Sequence, residues 1–287
     1  MSKNFVRRKT IIKKGKSTDA LMRHIRSQHQ VVIGGSKEKR ELLEMGYYHG
    51  YKTYRFLRNV NDPFENESLF SIYLNRYKEF KLGSSKYKNE MKQKLLLKQK
   101  FDSIIANNYQ SKTLIQHYIH NGEPIPLWAI FELLTLGDYG WFILCLNTNT
   151  RLRLEKEIGI VDKVNDTDGS MLPKHIFIIK ELRNSIAHNS VIFDCRFKSM
   201  KIRNTVLRQL TDKTGIDNIT FDSIVDYLIL IIYYQKNLGK NNNEMYMLIK
   251  NVKKVILKFK NSVSNSVCNK VLGSDFMKKI GRLNEFV

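Results

Sequence analysis

Arg183, Asn184 and His188 fall within six consecutive positions of the stretch "ELRNSIAHNS", residues 181 to 190. A guanidinium binds phosphate oxygens as a fork. An imidazole can pass a proton to or from an oxygen near neutral pH, and an amide beside them can orient either group. Together these side chains suit a phosphodiester. RNA supplies its own nucleophile, the 2′-hydroxyl, so the chemistry does not require a metal. Cleavage by that route leaves a 2′,3′-cyclic phosphate and a 5′-hydroxyl.

One copy of the trio is incomplete, because a single histidine cannot easily serve as base and acid on opposite sides of the phosphorus. Two copies facing each other solve the problem. A two-fold dimer provides this, since an isologous interface brings the same patch of each subunit together. Phe177, on the same side as His188, is expected to help cover such an interface.

A helix must carry these groups. At about 100° per residue, Ile176, Ile179, Leu182 and Ile186 cluster within about one third of the circumference and predict the side facing the core. Asn184 and His188, four apart, then stack on nearly the opposite side, and Arg183 lies between, long enough to reach toward Asn184. The preceding "DKVNDTDGSMLP" is polar and turn-forming, with Asp168 or Ser170 as the predicted N-cap and Pro173 in the first turn.

The rest of the chain reads as all-α, with only 4 prolines and 15 glycines and with apolar residues repeating at 3–4 spacing. Helices are predicted from Asp19 to about Gln28 and through "KEKRELLEMGYYHGYKTYRFL". Phe70, Tyr73, Leu74 and Tyr77 form one helical face. After Pro124 and Pro126 a helix uses Trp128, Phe131, Leu134 and Leu127, and Gly137 and Gly140 interrupt the pattern. Residues 221 to 238 and 246 to 263 read as two further helices. The last turns Leu248, Val252, Val255, Ile256 and Phe259 inward. No internal repeat or long linker divides the chain, so residues 18–287 read as a single helical domain behind a basic arm, residues 1–17.

Charge indicates the partner. Lys plus Arg is 49 against 27 for Asp plus Glu, a net +22, and such a field attracts polyanions. "KYKNEMKQKLLLKQKF" holds Lys86, Lys88, Lys92, Lys94 and Lys98, which with Lys253 and Lys254 could track a phosphate backbone; the alternative is a solvated lysine face. No stretch reaches the roughly 20 apolar residues of a membrane span, and "YLILIIYY", Tyr227 to Tyr234, reads as a buried helix. The N-terminus lacks the pattern of a secretory signal, so a cytoplasmic location is expected. Cys145, Cys195 and Cys268 are odd in number, widely spaced and in apolar settings, which predicts reduced structural thiols. They offer no zinc pattern, and no cofactor is expected.

Three segments in order carry a family resemblance. "ELLEMGYYHGYKTYRF", "PIPLWAIFELLTLGDYGWF" and "LRNSIAHNS" together resemble the Abi-like abortive-infection family of bacteria, of the AbiD and AbiF type, whose members belong to the HEPN superfamily. The resemblance implies an all-helical HEPN-type bundle, here with additional helices, acting as a dimeric, metal-independent endoribonuclease that arrests phage-infected cells. Carried over by position, Arg183 and His188 are the catalytic pair, and Asn184 positions them or the substrate. Glu132 matches a family position with a structural role. Asn189 and Ser190 depart from many relatives, which carry His or Asn followed by a basic residue. The resemblance also allows a regulatory RNA or a protein antitoxin. The alternative from the residues alone is a non-catalytic RNA-binding protein.

Overall fold

A computed structural model describes residues 68–69, 71–199 and 201–287. Eleven α-helices and no sheet are found among the described residues, as the spacing of apolar residues predicts. The arm at 1–17, the helices expected between Asp19 and Leu57, and Phe70 lie outside the described residues. The chain divides into two compact units, whose described parts are 68–69, 71–72 and 107–133 for the first and 73–106, 134–199 and 201–287 for the second.

The first unit holds α2 (Thr113–His120) and α3 (Leu127–Phe131). Pro126 is the N-cap of α3, so the two prolines separate the helices as expected. Ile115, Ile125, Leu127, Ala129 and Ile130 are buried. The Leu69 amide donates to the Ile125 carbonyl at 2.7 Å. Glu132 caps the C-terminus of α3 and is exposed.

The second unit contains nearly all of α1 (Ser85–Asn108), then α4 (Leu136–Cys145), α5 (Thr148–Ile158), α6 (Met171–Ala187), α7 (Asn204–Thr214), α8 (Ile224–Asn237), α9 (Asn242–Ser262), α10 (Asn265–Leu272) and α11 (Phe276–Phe286). Its centre is α8, where Val225, Tyr227, Leu228, Ile229, Leu230, Ile232 and Tyr233 are all buried. A helix apolar on every side must be surrounded; α6, α9 and α11 pack on it. α6 in turn packs on α4 and α7.

Three expectations need correction. Tyr73 and Tyr77 do not share a buried helical face: residues 72–75 are irregular, Tyr73 is 71% exposed, and Arg76–Glu79 is a short 3-10 helix. Only Leu74 is fully buried there. Val255 of α9 is 50% exposed, because the buried stripe runs through Met245, Ile249 and Ile256. Gly137 and Gly140 do not interrupt a helix; they lie inside α4. Their value is close approach. A β-carbon on Gly140 would come within 2.7 Å of the Phe177 ring, so its absence lets α6 settle against α4.

The N-terminus of α6 is anchored by two buried carboxyls. Asp166 accepts from the amides of Ser170 at 3.1 Å and Met171 at 2.7 Å, and Glu155 accepts from that of Leu172 at 2.9 Å. The next residue is Pro173, which has no amide hydrogen to satisfy. Ser170 is the N-cap, as one of the two predicted residues, but the capping oxygens come from Asp166 and Glu155. Behind them, the fully buried Arg151 and the 3-10 helix residue Arg76 converge on one oxygen of Asp168, at 3.6 Å and 2.9 Å.

Burial pushes the Glu155 carboxyl up to about 8, and the nearby Asp166 works in the same direction, while the Leu172 amide opposes it. The folded chain therefore keeps this proton where the unfolded chain has lost it. Stability is expected to fall as pH rises from the ordinary carboxyl range toward 8, by up to about 1.4 kcal/mol per pH unit from this group. Denaturant midpoints across that window should show the decline, and Glu155→Gln should flatten it. An equal slope in both proteins would contradict the assignment.

Candidate functional site

α6 ends at the trio. His188 is the C-cap residue, Asn189 adopts the left-handed conformation at φ 51°, and the amides of Asn189 and Ser190 donate to the carbonyls of Ile186 at 3.1 Å and Ser185 at 2.8 Å. This is a Schellman ending, and asparagine tolerates the left-handed position better than most residues. Asn189 thus has a local structural role.

The buried stripe of α6 is Met171, His175, Ile178, Leu182 and Ser185. It is rotated by about a quarter-turn from the expected one. Ile186, expected inside, is 58% exposed, and Ile176 and Ile179 are half-buried. Polar residue types hid the true stripe. His175 is fully buried, its Nδ1 lies 2.9 Å from the Tyr234 hydroxyl, and burial pulls its pKa down to about 3. It is therefore a neutral core histidine, whereas His188 is exposed.

Arg183 is exposed and Asn184 half-buried, both well away from the buried stripe. Arg183 Nη1 donates to Asn184 Oδ1 at 3.1 Å, so the guanidinium does reach across to the Asn184 side. His188 follows Asn184 by four residues, where side chains on a helix are neighbours. The structure thus brings a cation, an amide and an imidazole to one exposed helix end. Nearby, the Ser199 hydroxyl donates to the Glu181 carboxylate, which ties the following loop to α6.

Phe177 is half-buried against Gly140 and lies 5.3 Å, ring to ring, from Trp141. The exposed apolar groups beside the trio are instead Ile186 and Val191, with Trp141 further along.

The seven lysines are on two helices. Lys86, Lys88, Lys92, Lys98 and Lys254 are exposed, and Lys94 and Lys253 are half-buried. Lys94 lies over the Tyr77 ring at 4.5 Å and Lys86 over the Phe80 ring at 5.8 Å. Lys88 and Lys92 are neighbours one turn apart on α1; the α1 lysines as a set wind around the helix.

The three cysteines are free and buried, and burial pushes Cys145 and Cys195 up to about 12, which leaves both as thiols. Among the described residues no group of three or more His, Cys, Asp or Glu side chains could hold a metal. No helix there is long and apolar enough to cross a membrane.

Residues 66–194 match the family model for Abi-like protein. This segment belongs to the Abi-like family. The match takes in the described part of the first unit, together with α1, α4, α5, α6 and the whole of the Arg183–His188 motif. It supports a general role in abortive infection, the defence against phage. No curated protein and no solved structure matches the chain.

Proposed function

We propose that this Abi-like chain is a phage-defence toxin of the HEPN type: a metal-independent endoribonuclease that cuts RNA by attack of the 2′-hydroxyl. The observation that carries this reading is the exposed end of α6, where Arg183 leans onto Asn184 one turn before His188. Arg183 holds the phosphate oxygens and offsets the charge that builds up on them in the transition state. His188 moves the proton at the attacking or the leaving oxygen. Asn184 fixes the guanidinium and presents its remaining amide hydrogens to the substrate. The net charge of +22 supplies long-range attraction for RNA, with the α1 and α9 lysines as contacts to its backbone.

The active unit is a homodimer, in which the second His188 provides the proton transfer that the first cannot. Ile186 and Val191 give the apolar surface beside the motif that a second copy would cover. The cell must hold such an enzyme silent before infection, which a regulatory RNA or a protein antitoxin would do. The reading places the protein in the cytoplasm, with its substrate.

One dilution series tests the enzyme and the dimer together. RNA cleavage per protomer should fall as sedimentation shows the dimer dissociating. A fully active monomer would refute the shared site. RNA binding with no cleavage at any concentration would favour a non-catalytic RNA-binding protein.

A further inference from the structure

Lys180 stands four residues before Asn184 and eight before His188, so the three share one stripe of α6 at steps of about 6 Å. Its stem lies across Gly137 of α4. A β-carbon at position 137 would meet Lys180 Cδ at 3.1 Å and Nζ at 3.8 Å, so the glycine is what leaves room for the lysine. The side chain is half-buried, with Cδ, Cε and Nζ all lying along Gly137 of α4.

That ammonium has no ion pair or hydrogen bond among the described residues. The neighbouring acids are engaged elsewhere: Asp138 with Thr135 at 2.7 Å and Lys100 at 3.8 Å, and Glu181 with Ser199. A cation pinned by its stem, with no ion pair among the described residues and one turn from Asn184, is arranged for an anion from outside those residues. One helical turn is also close to the spacing of successive phosphates along an extended strand.

We infer that Lys180 binds the RNA phosphate next to the one that is cleaved, and that Gly137 is the residue that positions it. The inference rests on the nuclease reading for the location of the cleaved phosphate. It adds a second anchor that fixes the strand's register across Arg183 and His188. A compact ammonium suits this task, because it attracts a phosphate from any direction and leaves fork recognition to Arg183.

The test uses a short single-stranded oligoribonucleotide with 2′-O-methyl groups, which binds but cannot be cut through its 2′-oxygens. Affinity is measured over a series of salt concentrations. Lys180→Met, which keeps the stem, should bind about tenfold more weakly. Its slope of log affinity against log salt should be shallower by about 0.7, the loss of one phosphate contact to a single strand. Lys180→Arg should recover most of the affinity, Gly137→Ala should lose part of it, and Lys270→Met, a change at an exposed lysine on α10, should alter neither quantity.

Wild-type affinity and slope in Lys180→Met would overturn the inference. So would an equal loss in Lys270→Met, or no binding by the wild type. The ligand is not cut, so failure of the nuclease reading appears separately: a chain that binds through Lys180 but leaves unmodified RNA intact refutes the reading and not the contact.

Discussion

His188→Ala is expected to lower RNA cleavage by about 10²- to 10⁴-fold, the usual contribution of positioned proton transfer, while leaving the fold and the affinity for RNA nearly unchanged. The separation follows from how α6 ends. The His188 backbone amide, not its ring, donates to the Asn184 carbonyl at 2.9 Å, and the Schellman bonds that follow come from Asn189 and Ser190. Alanine keeps all of these. The imidazole is exposed and makes no side-chain hydrogen bond among the described residues, so its removal leaves no buried polar group unsatisfied. Single-turnover cleavage, RNA binding and a melting curve check the three parts. A large fall in melting temperature would make the ring structural and contradict the assignment.

Gly169→Ala should produce the largest loss of stability, about 2–5 kcal/mol. Two independent costs add. Gly169 sits at φ 65°, where an L-residue costs roughly 1–2 kcal/mol. Its β-carbon would also lie 2.6 Å from Arg151 Cβ and 2.8 Å from the Leu152 backbone nitrogen, neither of which can swing aside; overpacking of this kind costs about 1–3 kcal/mol. The position lies between Asp168, which two arginines hold, and Ser170, the N-cap of α6. Strain here therefore reaches the helix that carries Arg183, Asn184 and His188 at its other end. Gly83→Ala is the control, because Gly83 has φ 77° but no atom within 4 Å of the added carbon. Denaturant midpoints should drop much further for Gly169→Ala, and equal drops would rule out the packing contribution.

Much of this was legible in the residue pattern, for identifiable reasons. The helical class and the extents of α8 and α9 follow from long runs of apolar spacing. The place of the trio at the end of α6, away from its buried stripe, follows from fixed residue types at fixed spacing, and the match over residues 66–194 agrees with the family resemblance. What the pattern concealed was burial of the polar kind. His175 and Ser185 lie on the core stripe of α6, so a search for apolar residues alone chose a stripe rotated away from it. Arg151 and Glu155 look like surface residues of a charged helix but are fully buried, and their partners lie across the fold: Asp168 faces Arg151 at 3.6 Å and the Leu172 amide of α6 donates to Glu155 at 2.9 Å. The glycines of α4 read as breaks because their reason lies in another element, Phe177 and Lys180 of α6. Lys180 itself could have been noticed from its spacing to Asn184 and His188, but only the packing on Gly137 distinguishes it from an ordinary surface lysine.

The most direct test of the central claim compares the purified wild-type chain with His188→Ala on total cellular RNA in excess EDTA, followed by chemical identification of the new ends. The account predicts cleavage by the wild type alone, leaving 2′,3′-cyclic phosphates and 5′-hydroxyls. Equal cleavage by both proteins, or ends carrying 5′-phosphates, would contradict it.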